Sequence, residues 1–134
     1  MIEVYIDGAS AGNPGPSGAG VFIKANGHVD RYSIPLGMMS NHEAEFYALI
    51  KGLEICFEKK YKIVSFRTDS AVVNRAVEKE YIKNKQFAPL LYQALELTKK
   101  FDLFFIKWVP SRENKVADEL ARMAIRKNEE EDIE

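Results

Sequence analysis

The hydrophobic pattern of the chain changes near residue 40 from a period of two to a period of three to four. At the amino terminus, Ile2, Val4 and Ile6 alternate with polar or aromatic positions. This alternation predicts a β-strand that ends at Asp7. Alternating or continuous apolar runs between turn residues predict four further strands, at residues 19–25, 28–36, 63–68 and 103–109.

A helical spacing of apolar residues dominates the rest of the chain. It predicts four helices, at residues 42–60, 70–79, 89–100 and 115–127. Ser40 or Asn41 is suited to cap the first helix, and Pro89 suits the first turn of the third. The dipeptide Asn26-Gly27 predicts a type I′ hairpin turn between the second and third strands, because both central residues of that turn need a positive φ.

The order of these elements predicts an α/β fold. Three strands come first and should form an antiparallel meander, and two later strands alternate with helices. Right-handed crossovers would place strand four beside strand one and strand five outside it, in a mixed five-stranded sheet flanked by helices. Residues 1–128 are expected to form one domain, and residues 129–134 an acidic, disordered tail.

Composition narrows the function classes. The chain has 134 residues and a net charge of −1, whereas residues 1–128 carry 15 acidic and 19 basic side chains, a net charge of +4. The net charge of −1 argues against strong electrostatic binding of nucleic acid, and the mildly basic body qualifies that argument. The chain shows neither a membrane-spanning run nor a signal-peptide pattern, so we expect a cytoplasmic protein. The single cysteine, Cys56, is expected to be a buried, inert thiol, and two histidines with one cysteine disfavour a structural zinc site.

A glycine-rich stretch follows the first strand. Residues 8–20 contain five glycines and two prolines, which predicts a loop with a specified backbone path. The stretch lacks the spacing of a dinucleotide-binding or P-loop motif and leads to a strand, which disfavours a nucleotide-dependent small-molecule enzyme.

Four acidic residues carry the candidate chemistry. Asp7 and Asp69 follow the first and fourth strands, and parallel neighbours about 4.8 Å apart would place them side by side. Glu45 and Asp118 lie on or beside apolar helix faces, where a carboxylate needs a partner, a raised pKa or a metal ion. Two charges about 4 Å apart repel by roughly 4 kcal/mol at an effective dielectric constant near 20. Protons or hard cations must therefore neutralise such a cluster, and all-oxygen ligation suits Mg²⁺ or Mn²⁺.

Four motifs carry a family resemblance. They are YIDGASAGNPGPSGAG, SNHEAEFYALIKGL, FRTDS and WVPSRENKVADELARMA, which span nearly the whole chain. Their order and spacing resemble those of type 1 ribonucleases H. The resemblance implies a ribonuclease H-like fold and a catalytic site of two Mg²⁺ or Mn²⁺ ions held by Asp7, Glu45, Asp69 and Asp118.

The same resemblance implies a substrate and its contacts. The expected reaction is endonucleolytic hydrolysis of the RNA strand of an RNA–DNA hybrid, which leaves a 5′-phosphate and a 3′-hydroxyl. We expect the protein to be a monomer. The positions that resemble nucleic-acid contacts are Gly8, Asn13, Ser40, Asn41, Ser70 and Asn84. For each of these a turn or capping role is an open alternative.

The chain departs from the family pattern in two places. The loop PSREN has no histidine, so Arg112 or Glu113 is the candidate for proton transfer or product release. The link at residues 80–86 is too short for the basic, tryptophan-containing handle of some members, which predicts weaker hybrid binding despite Lys79, Lys83 and Lys85. An alternative function is therefore a weak or inactive ribonuclease H-like protein that binds nucleic acid.

His28 and His42 are expected in surface or turn roles, and Trp108 is expected to be packed.

Overall fold

The structure is a computed structural model that describes the backbone of residues 1–133 and the side chains of residues 1–127. Its elements are β1 (Ile2–Ser10), β2 (Gly15–Ala25), β3 (His28–Met39), α1 (Asn41–Glu58), β4 (Ile63–Thr68), α2 (Ala71–Lys79), α3 (Ala88–Thr98), β5 (Leu103–Trp108) and α4 (Lys115–Ile133), with a 3₁₀ turn at Ser111–Glu113. Helix α4 continues six residues past its predicted end. The side chains of the acidic tail lie outside the described residues, so its disorder stays a prediction.

The five strands form one mixed sheet in the order β3-β2-β1-β4-β5. Strands β1, β2 and β3 pair antiparallel, whereas β4 pairs parallel with both β1 and β5. This arrangement confirms the predicted fold class and the predicted position of strand four beside strand one.

The prediction that β1 ends at Asp7 and leads into a long glycine loop is wrong. Strand β1 continues to Ser10, and Ser10 pairs with Ser17 of β2, so only residues 11–14 connect the two strands. The glycines serve close packing instead. A Cβ on Gly8 would collide with the carbonyl oxygen of Ala44 in α1, and a Cβ on Gly20 would collide with the carbonyl oxygen of Ala117 in α4. Glycine here lets two helix backbones approach the sheet.

Local signals for turns and caps are confirmed. Asn26 and Gly27 both have positive φ, at 50° and 88°, as a type I′ turn requires. Ser40 caps α1: its hydroxyl accepts a hydrogen bond from the backbone of Glu43, whose side chain accepts one from the backbone of Ser40. This reciprocal pair fixes where α1 begins, directly before the acid on its second turn.

The helices cover the two faces of the sheet unequally. Helix α1 packs on the face that carries Val4 and Ile6, and its Gly52 contacts Phe66 of β4. Helix α4 packs on the opposite face, over β1, β2 and β3. Cys56 is fully buried in the α1 layer, and burial raises the pKa of its thiol to about 12, which confirms an inert thiol. None of the helices in the described part of the chain is long and apolar enough to cross a membrane.

Candidate active site

Two of the four acids meet where β1 and β4 run side by side. Ile6 of β1 is in register with Thr68 of β4, so the following residues, Asp7 and Asp69, lie next to each other at the same edge of the sheet. Asp7 is paired with Gly20, which contacts α4, so its side chain points to the α4 face. The prediction that parallel strands bring these two aspartates together is confirmed.

The helices bring the other two acids to the same place. One open surface cleft of about 400 Å³ is lined by Asp7, Glu45, Asp69 and Asp118, together with Gly8, Ala9, Ser10, Asn41, Arg122 and Ile125. Helix α1 supplies Glu45 close behind its capped amino terminus, and α4 supplies Asp118 from its first turn. The sheet edge and two helices thus build a single acidic site.

Asp7 shows the electrostatic cost of this crowding. Burial is the largest cause that raises its pKa, from an ordinary 3.8 to about 9, and the Asp69 charge and contacts with Asp118 raise it further in the same direction. Without a cation, this carboxyl therefore keeps a proton at neutral pH. An ion in the cleft would displace that proton.

Glu45 is held by its neighbours on both sides. Its Oε1 lies 2.8 Å from Nδ1 of His42, one turn earlier in α1. Burial raises the pKa of Glu45, and the contacts with His42 and the Ser70 hydroxyl oppose that rise. His42 is half-exposed, as predicted, but it also orients one of the four acids, a role that the sequence did not reveal.

Asp118 has a cationic partner and an indirect link to Asp69. Arg122, one turn later on α4, places its Nε 3.2 Å from Oδ2 of Asp118. The backbone of Asp118 donates to the carbonyl of Asn114 at 3.1 Å. Asn114 is 1% exposed, and its Nδ2 donates to the carbonyl of Ile6 at 2.9 Å and approaches Oδ1 of Asp69 at 3.4 Å.

Asn114 thus connects β1, the end of β4 and the start of α4. Sequence reasoning missed this residue and treated it as the end of a loop. A signal was available, because an asparagine directly before a helix is a capping residue, but nothing in the sequence indicated its burial.

The chemistry of the donor set fits divalent cations. Four carboxylates without cysteine or histidine ligands provide the oxygen donors that Mg²⁺ and Mn²⁺ prefer. Among the described residues, however, no three histidine, cysteine, aspartate or glutamate side chains already converge as ligands of one ion. Asp118 contacts Asp7 in addition to Arg122, and Glu45 contacts His42.

The predicted nucleic-acid contacts divide into two groups. Gly8 and Asn41 line the acidic cleft. Ser40 and Ser70 cap α1 and α2 through their hydroxyls, and Ser70 also contacts Glu45. Asn13 and Asn84 are not among the residues that line the cleft; Asn13 lies exposed between β1 and β2, and Asn84 forms a turn in which its Oδ1 accepts from the backbone of Gln86 at 2.8 Å.

Two candidates lie beside the cleft, outside its lining. Arg112 and Glu113 are exposed on the 3₁₀ turn and line a neighbouring cavity with Asn114. The prediction that Trp108 is packed is wrong: the side chain is half-exposed at the end of β5, and its indole N–H donates to the carbonyl of Asp69 at 3.1 Å. It helps to fix the backbone that carries this acid.

Comparison with known proteins agrees with this architecture. Residues 5–124 match a family model described as reverse transcriptase-like. The protein EbsB of Enterococcus faecalis, provisionally assigned as a hydrolase, is 41% identical over 95% of this chain and 96% of its own length. The ribonuclease HI of Halobacterium salinarum is 33% identical over 92% of this chain and 64% of its own length.

Solved structures give the same result. The crystal structure of RNase H1 from Halobacterium salinarum superposes with a TM-score of 0.88 at 31% identity, covering 94% of this chain and 98% of that one. LC11-RNase H1, crystallised in complex with an RNA/DNA hybrid, superposes with a TM-score of 0.82 at 29% identity, covering 95% and 98%. The chain therefore belongs to the type 1 ribonuclease H family, within the reverse transcriptase-like group, and is an enzyme of the hydrolase class.

Proposed function

We propose that this protein hydrolyses the RNA strand of RNA–DNA hybrids in the cleft formed by Asp7, Glu45, Asp69 and Asp118. The observation that carries the proposal is the convergence of four carboxylates from two strand ends and two helices on one open cleft. Such a cluster holds a proton on Asp7 unless cations compensate its charge. The hybrid bound to LC11-RNase H1, a structural neighbour, supports the choice of substrate.

The four acids would hold two Mg²⁺ or Mn²⁺ ions. When bound, these ions supply Lewis-acid polarisation of the phosphodiester and activation of the attacking water. The protein contributes the Asp7 carboxyl, whose proton a bound ion would displace, the orientation of Glu45 by His42, and the Asn114 link that holds Asp69 at the start of α4. The products of this hydrolysis would be a 5′-phosphate and a 3′-hydroxyl.

The rim of the cleft supports binding of a polyanion. Arg122 lines the cleft and places a positive charge beside its acids, where a scissile phosphate would approach. Gly8 and Asn41 lie at the same rim. Gly8 packs against the α1 backbone at Ala44, so a side chain at this position would push α1, and Glu45 with it, away from the sheet.

A basic groove on α2 extends this surface. It has a volume of about 340 Å³, begins at Ala71, two residues after Asp69, and is lined by Arg75, Lys79 and Lys83. Tyr81, also in this groove, is 59% exposed. These side chains place positive charge along one strand of a bound duplex, in a chain whose link is too short for the basic handle.

Digestion of labelled duplexes tests the proposal. We expect cleavage of an RNA–DNA hybrid with Mg²⁺ or Mn²⁺, with little cleavage of RNA–RNA and none of DNA–DNA duplexes. The Asp7→Asn variant, folded by circular dichroism, is expected to be inactive. A folded wild-type protein that cleaves no hybrid with either ion would overturn the proposed activity.

A second candidate function is hybrid binding without useful turnover. It is favoured by the positions of Arg112 and Glu113, which are not among the residues that line the acidic cleft, and by the absence of a ready-made ion site among the described residues. It predicts salt-dependent hybrid binding that is the same with and without divalent ions, and no product. Binding and digestion measured on one protein preparation separate the two functions.

A further inference from the structure

The segment that joins β5 to α4 contacts Asp69 at both of its ends. The indole N–H of Trp108, at the end of β5, donates to the backbone carbonyl of Asp69 at 3.1 Å. Nδ2 of Asn114, directly before α4, approaches Oδ1 of the same aspartate at 3.4 Å. Residues 108–114, the Asp69 clamp, therefore hold both the backbone and the carboxylate of one acid of the cleft.

The carbonyl that receives the indole N–H lies between two regular elements. The pairing of β4 with β5 ends at Thr68, which is in register with Trp108. The first backbone bond of α2 joins the N–H of Asn74 to the carbonyl of Ser70. Within the part of the chain that the structure describes, no backbone N–H outside the regular elements donates to the Asp69 carbonyl. The indole thus supplies the donor that neither the sheet ladder nor the helix provides there.

The connection between the two ends of the clamp is itself fixed. Val109 is buried, and its N–H donates to the carbonyl of Thr68 at 2.8 Å. The 3₁₀ turn that follows, Ser111–Glu113, is closed by two backbone bonds of 2.9 Å each. Because these bonds fix the path of the chain, Trp108 and Asn114 reach Asp69 from defined directions.

The clamp also determines where α4 begins relative to Asp69. The N–H of Asp118 donates to the carbonyl of Asn114 at 3.1 Å, which is the bond that opens the helix. Nδ2 of Asn114 donates to the carbonyl of Ile6, the residue before Asp7, at 2.9 Å. The placement of Asp69 among the other acids therefore depends on the two ends of one short segment.

We propose that Trp108 is a positioning residue for the cation site: it acts through the Asp69 backbone and keeps the carboxylate where it can ligate a divalent ion. Groups that orient a ligand without touching the metal typically change metal affinity or activity by about 10- to 100-fold when they are replaced. This inference rests on the proposed function, because it assigns Asp69 to the ions that the cleft would hold. It adds a role for the end of β5, an edge strand that supplies none of the four acids.

The substitution Trp108→Phe tests the role of the indole N–H, because it keeps an aromatic ring at the end of β5 and removes the donor. Calorimetric titration of Mn²⁺ into metal-free protein at pH 8 should show a roughly tenfold weaker affinity than in the wild type. In the hybrid digestion assay, kcat should fall by a similar factor while KM for the hybrid stays unchanged. The indole is 50% exposed, so its truncation leaves an open surface and not a closed cavity, and the variant is expected to fold.

Two further variants separate positioning from a general effect on β5. Phe105→Leu is the matched control, because Phe105 is a 46% exposed aromatic residue on the same strand, and it should keep the wild-type Mn²⁺ affinity and kcat. Trp108→His restores a donor, because Nε2 of histidine is two bonds from Cγ, as Nε1 of tryptophan is. At pH 8 the imidazole is neutral, and this variant should recover most of the lost affinity.

The outcomes distinguish this inference from its alternatives. Wild-type Mn²⁺ affinity in Trp108→Phe, an equal loss in Phe105→Leu, or no recovery in Trp108→His would overturn the positioning role. A raised KM with unchanged kcat and Mn²⁺ affinity would also overturn it, and would assign the exposed ring to substrate binding. The titration does not require turnover, so a protein that binds Mn²⁺ but digests no hybrid would contradict the proposed function and leave the test of Trp108 intact.

Discussion

Replacing Asp7 by asparagine separates the stability of the acidic site from its chemistry. Folded Asp7, with a pKa raised to about 9, keeps its proton at pH 7, whereas in the unfolded chain the same carboxyl has its ordinary pKa of 3.8 and is ionised. Unfolding therefore releases a proton, and the free energy of unfolding falls by about 1.4 kcal/mol per pH unit between about pH 4 and pH 9. At pH 7 the raised pKa of Asp7 therefore lowers the free energy of unfolding by at most about 4 kcal/mol relative to its value below pH 4.

Asparagine has a similar shape and is neutral in both the folded and the unfolded state, so it removes this loss of unfolding free energy. We expect Asp7→Asn to be inactive and yet more stable than the wild type at pH 7 without metal, by up to about 4 kcal/mol or roughly 10 °C in melting temperature. The advantage should shrink toward pH 4. It should also shrink when Mg²⁺ or Mn²⁺ is added, because the ions bind only the wild-type folded state.

Urea unfolding from pH 4 to pH 9, in buffer with a chelator, measures this effect. The wild type should show the falling slope and Asp7→Asn a flatter one. Asp102→Asn is the matched control, because Asp102 is an exposed aspartate at the opposite edge of the sheet, and it should keep the wild-type slope. Lower stability of Asp7→Asn at pH 7, or the same pH slope in both proteins, would refute the reasoning about charge crowding.

Three further substitutions test the surroundings of the cleft. Asn114→Ala removes buried hydrogen bonds to β1 and Asp69, so thermal unfolding should show a loss of about 1–3 kcal/mol and kcat should fall. His42→Ala frees the Glu45 carboxylate, and we expect a roughly tenfold weaker Mn²⁺ affinity by calorimetry, partly restored by His42→Gln; unchanged affinity would exclude an orienting role. Lys79→Ala/Lys83→Ala should raise KM for the hybrid several-fold at unchanged kcat and reduce its salt slope by about two, whereas an effect on kcat alone would contradict a binding role for the α2 groove.

The sequence predicted the sheet and the convergence of the acids because these depend on patterns that are local or topological. Alternating apolar residues identified the strands, and the rule that parallel strands end at the same edge brought Asp7 to Asp69. The carboxylates of Glu45 and Asp118 on or beside apolar helix faces violated the expected pattern, which indicated a site.

The remaining features depend on contacts between distant segments. Glycine was interpreted as a loop residue, but Gly8 and Gly20 are selected by the approach of two helix backbones that no local pattern shows. The buried position of Asn114 likewise depends on Ile6, which is 108 residues away. The exposure of Trp108 follows from its place at the end of an edge strand, which became clear only once the strand order was known.

The central claim is that four carboxylates from separate segments act as one cation site. Calorimetric titration of Mn²⁺ at pH 7, in buffers of different ionisation enthalpy, tests this most directly by measuring affinity and the number of protons released. We predict saturable binding with release of about one proton, and loss of that binding and release in Asp7→Asn. Wild-type protein that binds no Mn²⁺, or that binds it equally well without the Asp7 carboxylate, would contradict the account.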